Sequence, residues 1–247
     1  MKKPNSSMDM TQGSILSLLT AFAIPVLFGN IIQQLYSFTD SILVGRFLGT
    51  DALASIGATD SLTYLFIGGT NAVATGFSIC TAQAWGRHDM PELRGYTAWI
   101  VKYTLILSLA CGLLLILLTP GLLTMMQTPD SLKQNSRIYL TILFAGLPCS
   151  MGLNSLLSLL RSLGDGKIGF YLLLVSSVSN IGLDCVFLSL FPMGVAGAAI
   201  ATISAQFLVL CIALHYTGKK YPFLHFSKKD WQTRYAYRIS LLPFYVP

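Results

Sequence analysis

Charged residues are scarce in this chain. They make up 11% of its 247 residues, whereas a soluble domain carries about 25%. Hydrophobic residues make up 53%, and the mean hydropathy is +0.65. The apolar residues run on without the polar and apolar alternation that is typical of a membrane β-barrel. These features exclude a soluble globular domain and a closed barrel, and they predict an all-α, polytopic helical membrane protein.

Motifs for catalysis and metal binding are also missing. The five cysteines are scattered singly with no CxxC pair, and the three histidines lie far apart, so neither a disulfide framework nor a zinc site is indicated. The sequence contains no HExxH and no Walker phosphate-binding loop, and the one GxGxxG string, at 164–169, belongs to a stretch that we interpret as a tight cytoplasmic turn. Each of these motifs has a defined chemical role. We therefore predict that the chain is not an enzyme, has no ATP-driven activity and holds no organic cofactor.

Charge-free windows predict where the membrane-spanning helices lie. Four windows of 30, 26, 27 and 23 residues begin after Asp9, Asp60, Lys102 and Arg137, and each is longer than the roughly 20 residues of a span. A fifth window, from Lys167 to Lys219, is long enough for two spans and divides at a turn signal around Pro192. The predicted helices are 14–45, 53–82, 97–119, 134–160, 167–190 and 194–216.

The domain organisation follows from these six helices. Residues 1–13 form a polar N-terminal segment, and 14–216 form a six-helix transmembrane lobe. Residues 217–238 form a basic linker, and 239–247 begin an apolar run that we interpret as the truncated start of a seventh helix. Gly197, Ala201 and Ala205 recur every four residues in the sixth helix, which predicts a close helix contact.

The distribution of basic residues predicts the orientation in the membrane. With a cytoplasmic N-terminus, 13 of the 16 lysines and arginines lie inside, and only Arg46, Lys133 and Arg137 lie outside. This bias is the positive-inside signal. It predicts a multi-pass protein of the plasma membrane with both termini in the cytoplasm. It also explains the net charge of +6 without nucleic acid, so lipid is the expected partner.

Asp184 is the most informative residue of the sequence. It is the only charged residue among the 51 residues between Lys167 and Lys219. A carboxylate at mid-helix costs about 2.5–3.5 kcal/mol to insert and usually faces a protein interior. Asn180 lies four residues earlier and therefore on the same helical face. Together they predict a cation site inside the membrane.

Asp40 shares the depth of Asp184 on the predicted topology. Both lie about 9–12 Å below the outer end of helices that run in the same direction, so the two carboxylates are expected to line one cavity. Asp60, early in the second helix, is a weaker candidate. The remaining acidic residues are predicted to be solvated at loops or helix ends, namely Asp9, Asp51, Asp89, Glu92, Asp130, Asp165 and Asp230.

The chemistry of such a site admits two coupling ions. Burial makes the charged form of a carboxylate costly, so the group can exchange a proton near neutral pH. Carboxylate, amide and hydroxyl oxygens can instead hold sodium, and Thr202 and Asn154 are further neutral oxygen donors in apolar segments. Each of these two could equally make an ordinary bond between helices. Competition between either ion and an organic cation would produce antiport.

Several ordered stretches of the sequence resemble the multidrug and toxic compound extrusion (MATE) family of cation-coupled exporters. They are AIP at 23–25, QLYSFTDSILVGRFLG at 34–49, LRSLGD at 160–165, NIGLD at 180–184 and GVAGAAIAT at 194–202. The resemblance implies twelve helices in two six-helix lobes with alternating access. This chain resembles the N-terminal lobe, so a C-terminal lobe is an expected partner, and small cationic molecules are expected substrates.

The resemblance also implies roles for individual residues. It implies that Asp40, Asn180, Asp184 and Thr202 bind the coupling proton or sodium, that Asn154 and Tyr36 line the cavity, and that Pro25 is a hinge where the first helix bends. The expected function is secondary active multidrug efflux in exchange for H⁺ or Na⁺. Two alternatives remain open: a lipid or polysaccharide flippase of the same superfamily, and a non-transporting membrane fragment.

Overall fold

The protein is a bundle of helices in the part of the chain that the structure describes. The structure is a computed structural model, and it describes residues 14–191, 193–224 and 230. All regular structure in these ranges is helical, which confirms the predicted all-α class. The α-helices are α1 (Ile15–Leu48), α2 (Thr50–Gly57), α3 (Asp60–Gly86), α4 (Met90–Met125), α5 (Asp130–Ala145), α6 (Leu147–Ser162), α7 (Gly166–Cys185) and α8 (Val195–Lys220). A π-helical turn (Val186–Leu190) follows α7, and a 3-10 turn (Pro222–Leu224) follows α8.

Most of these helices are suited to crossing a membrane. Among the described residues, α3, α4, α7 with its π turn, and α8 are long and apolar enough, and the bent pair α5–α6 would make a fifth span. These five correspond to the second through sixth predicted helices. The first is α1, whose 34 residues extend about 51 Å at 1.5 Å per residue. That length exceeds the hydrocarbon core of about 30 Å.

The second predicted helix is two helices in the structure. The chain leaves α1 at Gly49, whose φ of 84° lies in the left-handed region that favours glycine. It then forms the short helix α2 before α3 begins. Asp60, which the sequence placed early in one long helix, is the first residue of α3. A carboxylate in that position interacts favourably with the helix dipole.

The fourth predicted helix is bent. The axes of α5 and α6 meet at 49° around Gly146, because Pro148 has no N–H to donate to the carbonyl group of Phe144, four residues earlier. Gly112 of α4 approaches that carbonyl so closely that an added Cβ would lie 2.7 Å from the oxygen. The bend and the glycine together let α4 pack against α5 and α6.

Helix α8 lies at the centre of the bundle and contacts α5, α6 and α7. Its predicted small-residue face is confirmed, since Gly197, Ala201 and Ala205 are all buried. By contrast, α4 exposes large side chains such as Leu109, Leu113 and Leu117, as a helix in contact with lipid would. Small residues inside and large apolar residues outside are the arrangement expected of helices that pack in a membrane.

Asp165 is buried, contrary to its predicted solvation. Its side chain is 3% exposed, and its Oδ2 accepts hydrogen bonds from Lys220 Nζ at 2.6 Å, Tyr216 Oη at 2.9 Å and Tyr221 Oη at 3.0 Å. Burial, and then the charge of Asp165, raise the pKa of the Tyr221 hydroxyl. The carboxylate therefore joins the turn before α7 to the end of α8, which continues four residues beyond its predicted end.

Glu92 and Asp230 are two further exceptions to the predicted solvation. Glu92 is 8% exposed, forms an ion pair with Arg87 and accepts a hydrogen bond from Tyr96 Oη at 2.8 Å. Asp230 is 4% exposed and lies 3.7 Å from Arg94 Nε. Glu92 does lie at a helix end, as predicted, but basic and phenolic partners in the folded lobe allow these carboxylates to be buried.

We predict that Asp165→Asn destabilises the lobe by about 3 kcal/mol, the low end of the range for breaking a buried ion pair. The substitution preserves shape but leaves the largely buried Lys220 ammonium without its counter-charge. Unfolding by a denaturing detergent, followed by tryptophan fluorescence, measures the change. Asp130→Asn is the matched control, because Asp130 pairs with Lys133 at the surface, and it should leave the unfolding midpoint unchanged. Equal midpoints for both variants and the parent would contradict this role of Asp165.

Candidate functional site

Asp184 is completely buried near the end of α7. Its side chain has no exposed surface, and neither carboxylate oxygen has a hydrogen-bond partner among the described residues. An ionised carboxylate in such a place costs several kcal/mol, because nothing replaces the water that it has lost. Asp184 therefore requires a proton or a bound cation.

Asn180 lies one turn before Asp184 and links α7 to α8. It is 3% exposed, and its side-chain amide donates to Thr202 Oγ1 at 3.3 Å. The Thr202 hydroxyl in turn donates to the carbonyl oxygen of Ala198 at 3.1 Å. Asn180 Oδ1 remains buried without a partner in the described part of the chain. The sequence predicted this pair of neutral donors, and the structure brings them together.

Asp40 approaches Asp184 from α1, the helix that packs most extensively on α7. The two carboxyl groups are close enough for their negative charges to repel each other, and Asp40 Oδ1 is buried without a hydrogen-bond partner among the described residues. Two ionised carboxylates can only accept hydrogen bonds, so the pair can form a hydrogen bond only when one of them carries a proton. The two carboxyl groups that the sequence placed at one depth are therefore electrostatic neighbours.

Two tyrosines lie close to this carboxyl pair. Tyr36 is one turn before Asp40 on α1, and its hydroxyl group interacts electrostatically with the carboxyl groups of Asp40 and Asp184. Tyr139 of α5 is 8% exposed, and its hydroxyl group interacts electrostatically with the same two carboxyl groups and with Asp60. The sequence reasoning missed Tyr139. The depth argument could have found it, since it lies near the outer end of the fourth predicted helix.

The oxygen atoms of the site suit a monovalent cation. Four buried oxygens of the site lack hydrogen-bond partners among the residues that the structure describes: Asp40 Oδ1, Asn180 Oδ1 and both carboxylate oxygens of Asp184. Carboxylate and amide oxygens are ligands for protons and sodium in transporter sites. Within the described ranges, no group of three or more His, Cys, Asp or Glu side chains could hold a metal ion. The donor set therefore does not resemble a transition-metal centre.

Comparison with known proteins identifies the family. The MatE family model matches residues 25–186, which is more than half of the chain. The chain belongs to the MatE family. The members of this family are transporters, not enzymes, which confirms that prediction.

Curated relatives of this MatE chain carry names that refer to drug resistance. Over 215 residues it is 34% identical to "Probable multidrug resistance protein YpnP" of Bacillus subtilis (strain 168), a match that covers 85% of this chain and 47% of the relative. It is 28% identical over 231 residues to "Probable multidrug resistance protein YoeA" of the same organism, covering 92% and 50%. The chain therefore spans about half the length of these relatives.

Solved structures show the same fold. A MOP superfamily transporter from Pyrococcus furiosus matches with a TM-score of 0.89 at 21% identity, covering 99% of this chain and 54% of the other. An outward-facing multidrug resistance MATE family transporter matches with a TM-score of 0.87 at 21% identity, covering 97% and 53%. Both matches agree with a single six-helix lobe of the MatE architecture.

The remaining predicted site residues have different surroundings. The Asn154 side-chain amide donates to the carbonyl oxygen of Ser150 in its own helix at 2.9 Å, which is local bonding rather than contact with the carboxyl pair. Helix α1 passes through Pro25, whose side chain lies outside the described part of the structure, so the hinge stays a prediction. Tyr36 does line a cavity, between α1 and α3.

A π-helical turn follows Asp184 almost immediately. It comprises Val186–Leu190, and no pattern in the sequence predicted it. The wider turn interrupts the ladder of α-helical hydrogen bonds directly after the buried carboxylate. Such turns are often found at functional sites. The turn also ends the regular α-helical geometry of α7 directly after Asp184 and Cys185.

We predict that, at alkaline pH and without sodium, Asp184→Asn stabilises the folded lobe by about 1 kcal/mol or more, because under these conditions the carboxyl pair has lost its neutralising proton and the substitution removes one of two repelling charges while keeping the shape. For a chain of this size, this corresponds to a rise of about 2–4 °C in the unfolding midpoint. Thermal unfolding in sodium-free detergent solution measures it. The exposed carboxylate of Asp51 provides the control, since Asp51→Asn should leave the midpoint unchanged. A lower midpoint for Asp184→Asn would show that the carboxylate has a stabilising partner.

Proposed function

We propose that this chain is the N-terminal lobe of a secondary active multidrug efflux antiporter that exports organic cations or other xenobiotics in exchange for H⁺ or Na⁺. The observation that supports this proposal best is that the fully buried carboxyl group of Asp184 has the carboxyl group of Asp40 as an electrostatic neighbour. A membrane protein retains such a costly pair where it binds an ion. The names of the curated relatives support the same class of substrate.

The chemistry of the pair explains how an ion and a substrate can be coupled. Two adjacent carboxylates repel each other strongly in a medium of low dielectric constant, so a proton or a sodium ion must accompany them. Asn180 and Thr202 add neutral oxygens on the α7–α8 side of the pair. An organic cation that supplies positive charge nearby makes the small ion unnecessary. Entry of one therefore favours release of the other, which is antiport.

The membrane setting is the second part of the proposal. The 13-to-3 bias of basic residues supports a multi-pass protein of the plasma membrane with both termini in the cytoplasm. Lipid is then the partner of the exposed leucines on α4. Since the chain spans about half of its relatives, we propose that a C-terminal lobe completes the transporter. Each of the two lobes would then line one side of the cavity between them.

The experiment is dye efflux by this lobe joined to the C-terminal lobe of YpnP. We expect the fusion to export a cationic dye from membrane vesicles when a proton or sodium gradient is applied. Asp40→Asn and Asp184→Asn should each reduce this export at least about tenfold, a loss of roughly 1.4 kcal/mol in coupling. Asp51→Asn, on the exposed surface of α2, should retain full export.

The amount of protein in the vesicles and its elution as a single species serve as controls for folding. Absence of gradient-driven export by the parent fusion would contradict the proposed function. Full export by both carboxyl variants would contradict the assignment of the ion to the Asp40–Asp184 pair. Flipping of a lipid-linked sugar in place of dye export would favour the flippase alternative.

A further inference from the structure

A crevice runs along the lobe where α4 and α8 both pack against α6. Those two helices scarcely contact each other, so a gap of about 310 Å³ remains between them, at the lower end of the range for ligand sites. At its floor Gly152 has no side chain, and an added Cβ would lie 3.4 Å from Leu210 Cδ2. We call this gap the α4–α8 crevice. Its walls include Val101, Leu105, Gly152, Leu156, Leu210 and Leu214.

The wall of the crevice is apolar although hydroxyl residues contribute to it. Thr104 Oγ1 and Ser155 Oγ lie 3.0 Å apart and form a hydrogen bond with each other. The Thr97 hydroxyl donates to the carbonyl oxygen of Leu93 at 2.8 Å. Because these hydroxyl groups already have partners, they have little to offer a polar ligand. The wall therefore suits an aliphatic occupant.

The crevice opens onto the aliphatic surface of the lobe. The residues at its rim, Val101, Leu105 and Leu214, are 50%, 54% and 56% exposed. Along α4, every exposed residue from Leu105 to Leu118 is leucine, isoleucine or alanine. A surface of this composition on a membrane-spanning helix is in contact with acyl chains. The crevice is continuous with that surface, so lipid has direct access to it.

The polar surface of the lobe lies elsewhere, on α1 and α3. Those helices expose Gln34, Asp60 and Tyr64, which are side chains suited to an aqueous cavity between two lobes. The proposed C-terminal lobe would cover that polar surface. It would leave the aliphatic surface around the α4–α8 crevice to lipid.

Arg94 lies on the crevice face of α4, at the end that the proposed orientation places in the cytoplasm. It precedes Thr97 by three residues and Val101 by seven, so the three share one helical face. Its Nε is buried without a hydrogen-bond partner among the described residues, and Asp230 Oδ1 lies 3.7 Å away. A guanidinium group has five N–H donors and can bind a phosphate through two of them at once. Arg94 therefore has donors available for a phosphate beside Asp230.

The spacing along α4 matches the dimensions of a phospholipid. Arg94 and Leu105 are about 16 Å apart along the helix axis, which is close to half of the roughly 30 Å hydrocarbon core. Between them, Lys102 Nζ lies 4.6 Å from the centroid of the Trp99 ring. Lysine and tryptophan mark the boundary between headgroups and acyl chains. The crevice thus begins at the headgroup level and extends into one leaflet.

We propose that the α4–α8 crevice binds one anionic phospholipid of the cytoplasmic leaflet. One acyl chain lies against Gly152 and Leu210, and the phosphate group lies at Arg94. Basic pockets between membrane helices on the cytoplasmic side bind anionic headgroups in this way. The lipid fills the gap between α4 and α8 and so joins two helices that scarcely contact each other. This inference is independent of ion coupling, and only the choice of leaflet rests on the proposed orientation.

The test uses the purified 247-residue chain in dodecyl maltoside, titrated with dioleoylphosphatidylglycerol. Native mass spectrometry counts the bound lipids. We expect the first lipid to bind more tightly than later ones, and phosphatidylglycerol to occupy this site about fivefold more tightly than dioleoylphosphatidylcholine. Glycerol 1-phosphate, which has the phosphate but no acyl chains, should not compete.

Two variants test the position of the acyl chain. Gly152→Leu fills the floor of the crevice and should weaken binding of the first phosphatidylglycerol about tenfold. Val101→Trp narrows the crevice from its exposed rim and should also weaken binding, which keeps the test available if Gly152→Leu does not fold. Gly121→Leu is the matched control, because Gly121 is exposed near the other end of α4 with open space around it. It should bind like the parent.

Three variants test the position of the phosphate. Arg94→Gln should remove the preference for phosphatidylglycerol and leave the affinity for phosphatidylcholine unchanged. Asp230→Asn breaks the same ion pair but keeps the arginine, so it should bind phosphatidylglycerol at least as tightly as the parent. Arg137→Gln removes an exposed basic charge on α5, outside the crevice, and should retain the preference.

Three results would overturn the inference. Unchanged affinity for the first lipid in both Gly152→Leu and Val101→Trp would show that the lipid lies elsewhere. An equal loss of preference in Arg137→Gln and Arg94→Gln would show that net charge alone determines the selectivity. Competition by glycerol 1-phosphate would show a phosphate site without an acyl-chain site. None of these results depends on dye export, so the inference and the proposed function can fail separately.

Discussion

The arrangement of this lobe depends on one buried charge, the Asp184 carboxylate. Its oxygens have no hydrogen-bond partner in the described part of the chain, and its close neighbour Asp40 is a second carboxyl group rather than a base. A lysine or arginine in this position would have formed a permanent ion pair. Because two acids meet, the site is neutral only while it holds an exchangeable cation. An exchangeable charge is what a coupled transporter requires.

The packing of the surrounding helices keeps the Asp184 carboxylate buried. Helix α8 contributes small residues along its buried face, so α5, α6 and α7 approach closely, and Asp184 has no exposed surface. At the opposite end of the lobe, one carboxylate oxygen of Asp165 accepts three hydrogen bonds. These bonds hold the turn before α7 against the end of α8. The lobe therefore has a carboxylate with three hydrogen bonds at one end of α7 and, at the other end, a carboxylate without partners among the described residues, which we propose binds the coupling ion.

Much of this could be predicted from the sequence. Long charge-free windows determined the helices, because the cost of charge in lipid is large and local. The depth of Asp40 and Asp184 followed from counting residues along straight helices. The bend at Gly146, the π turn after Asp184 and the burial of Asp165 could not be predicted in this way, because each depends on contacts between distant segments. Tyr139 is a different case, since its depth could have been counted in the same way, although its closeness to Asp40 and Asp184 depends on how α5 packs in the folded lobe.

The most direct test of the central claim is infrared difference spectroscopy of the purified chain in lipid, recorded on exchange of sodium for potassium and on acidification. The account predicts a carboxyl signal that one of these changes alters and that Asp40→Asn or Asp184→Asn abolishes, while Asp51→Asn retains it. Identical difference spectra for the parent chain and Asp184→Asn under both changes would contradict the claim that the Asp40–Asp184 pair holds an exchangeable cation.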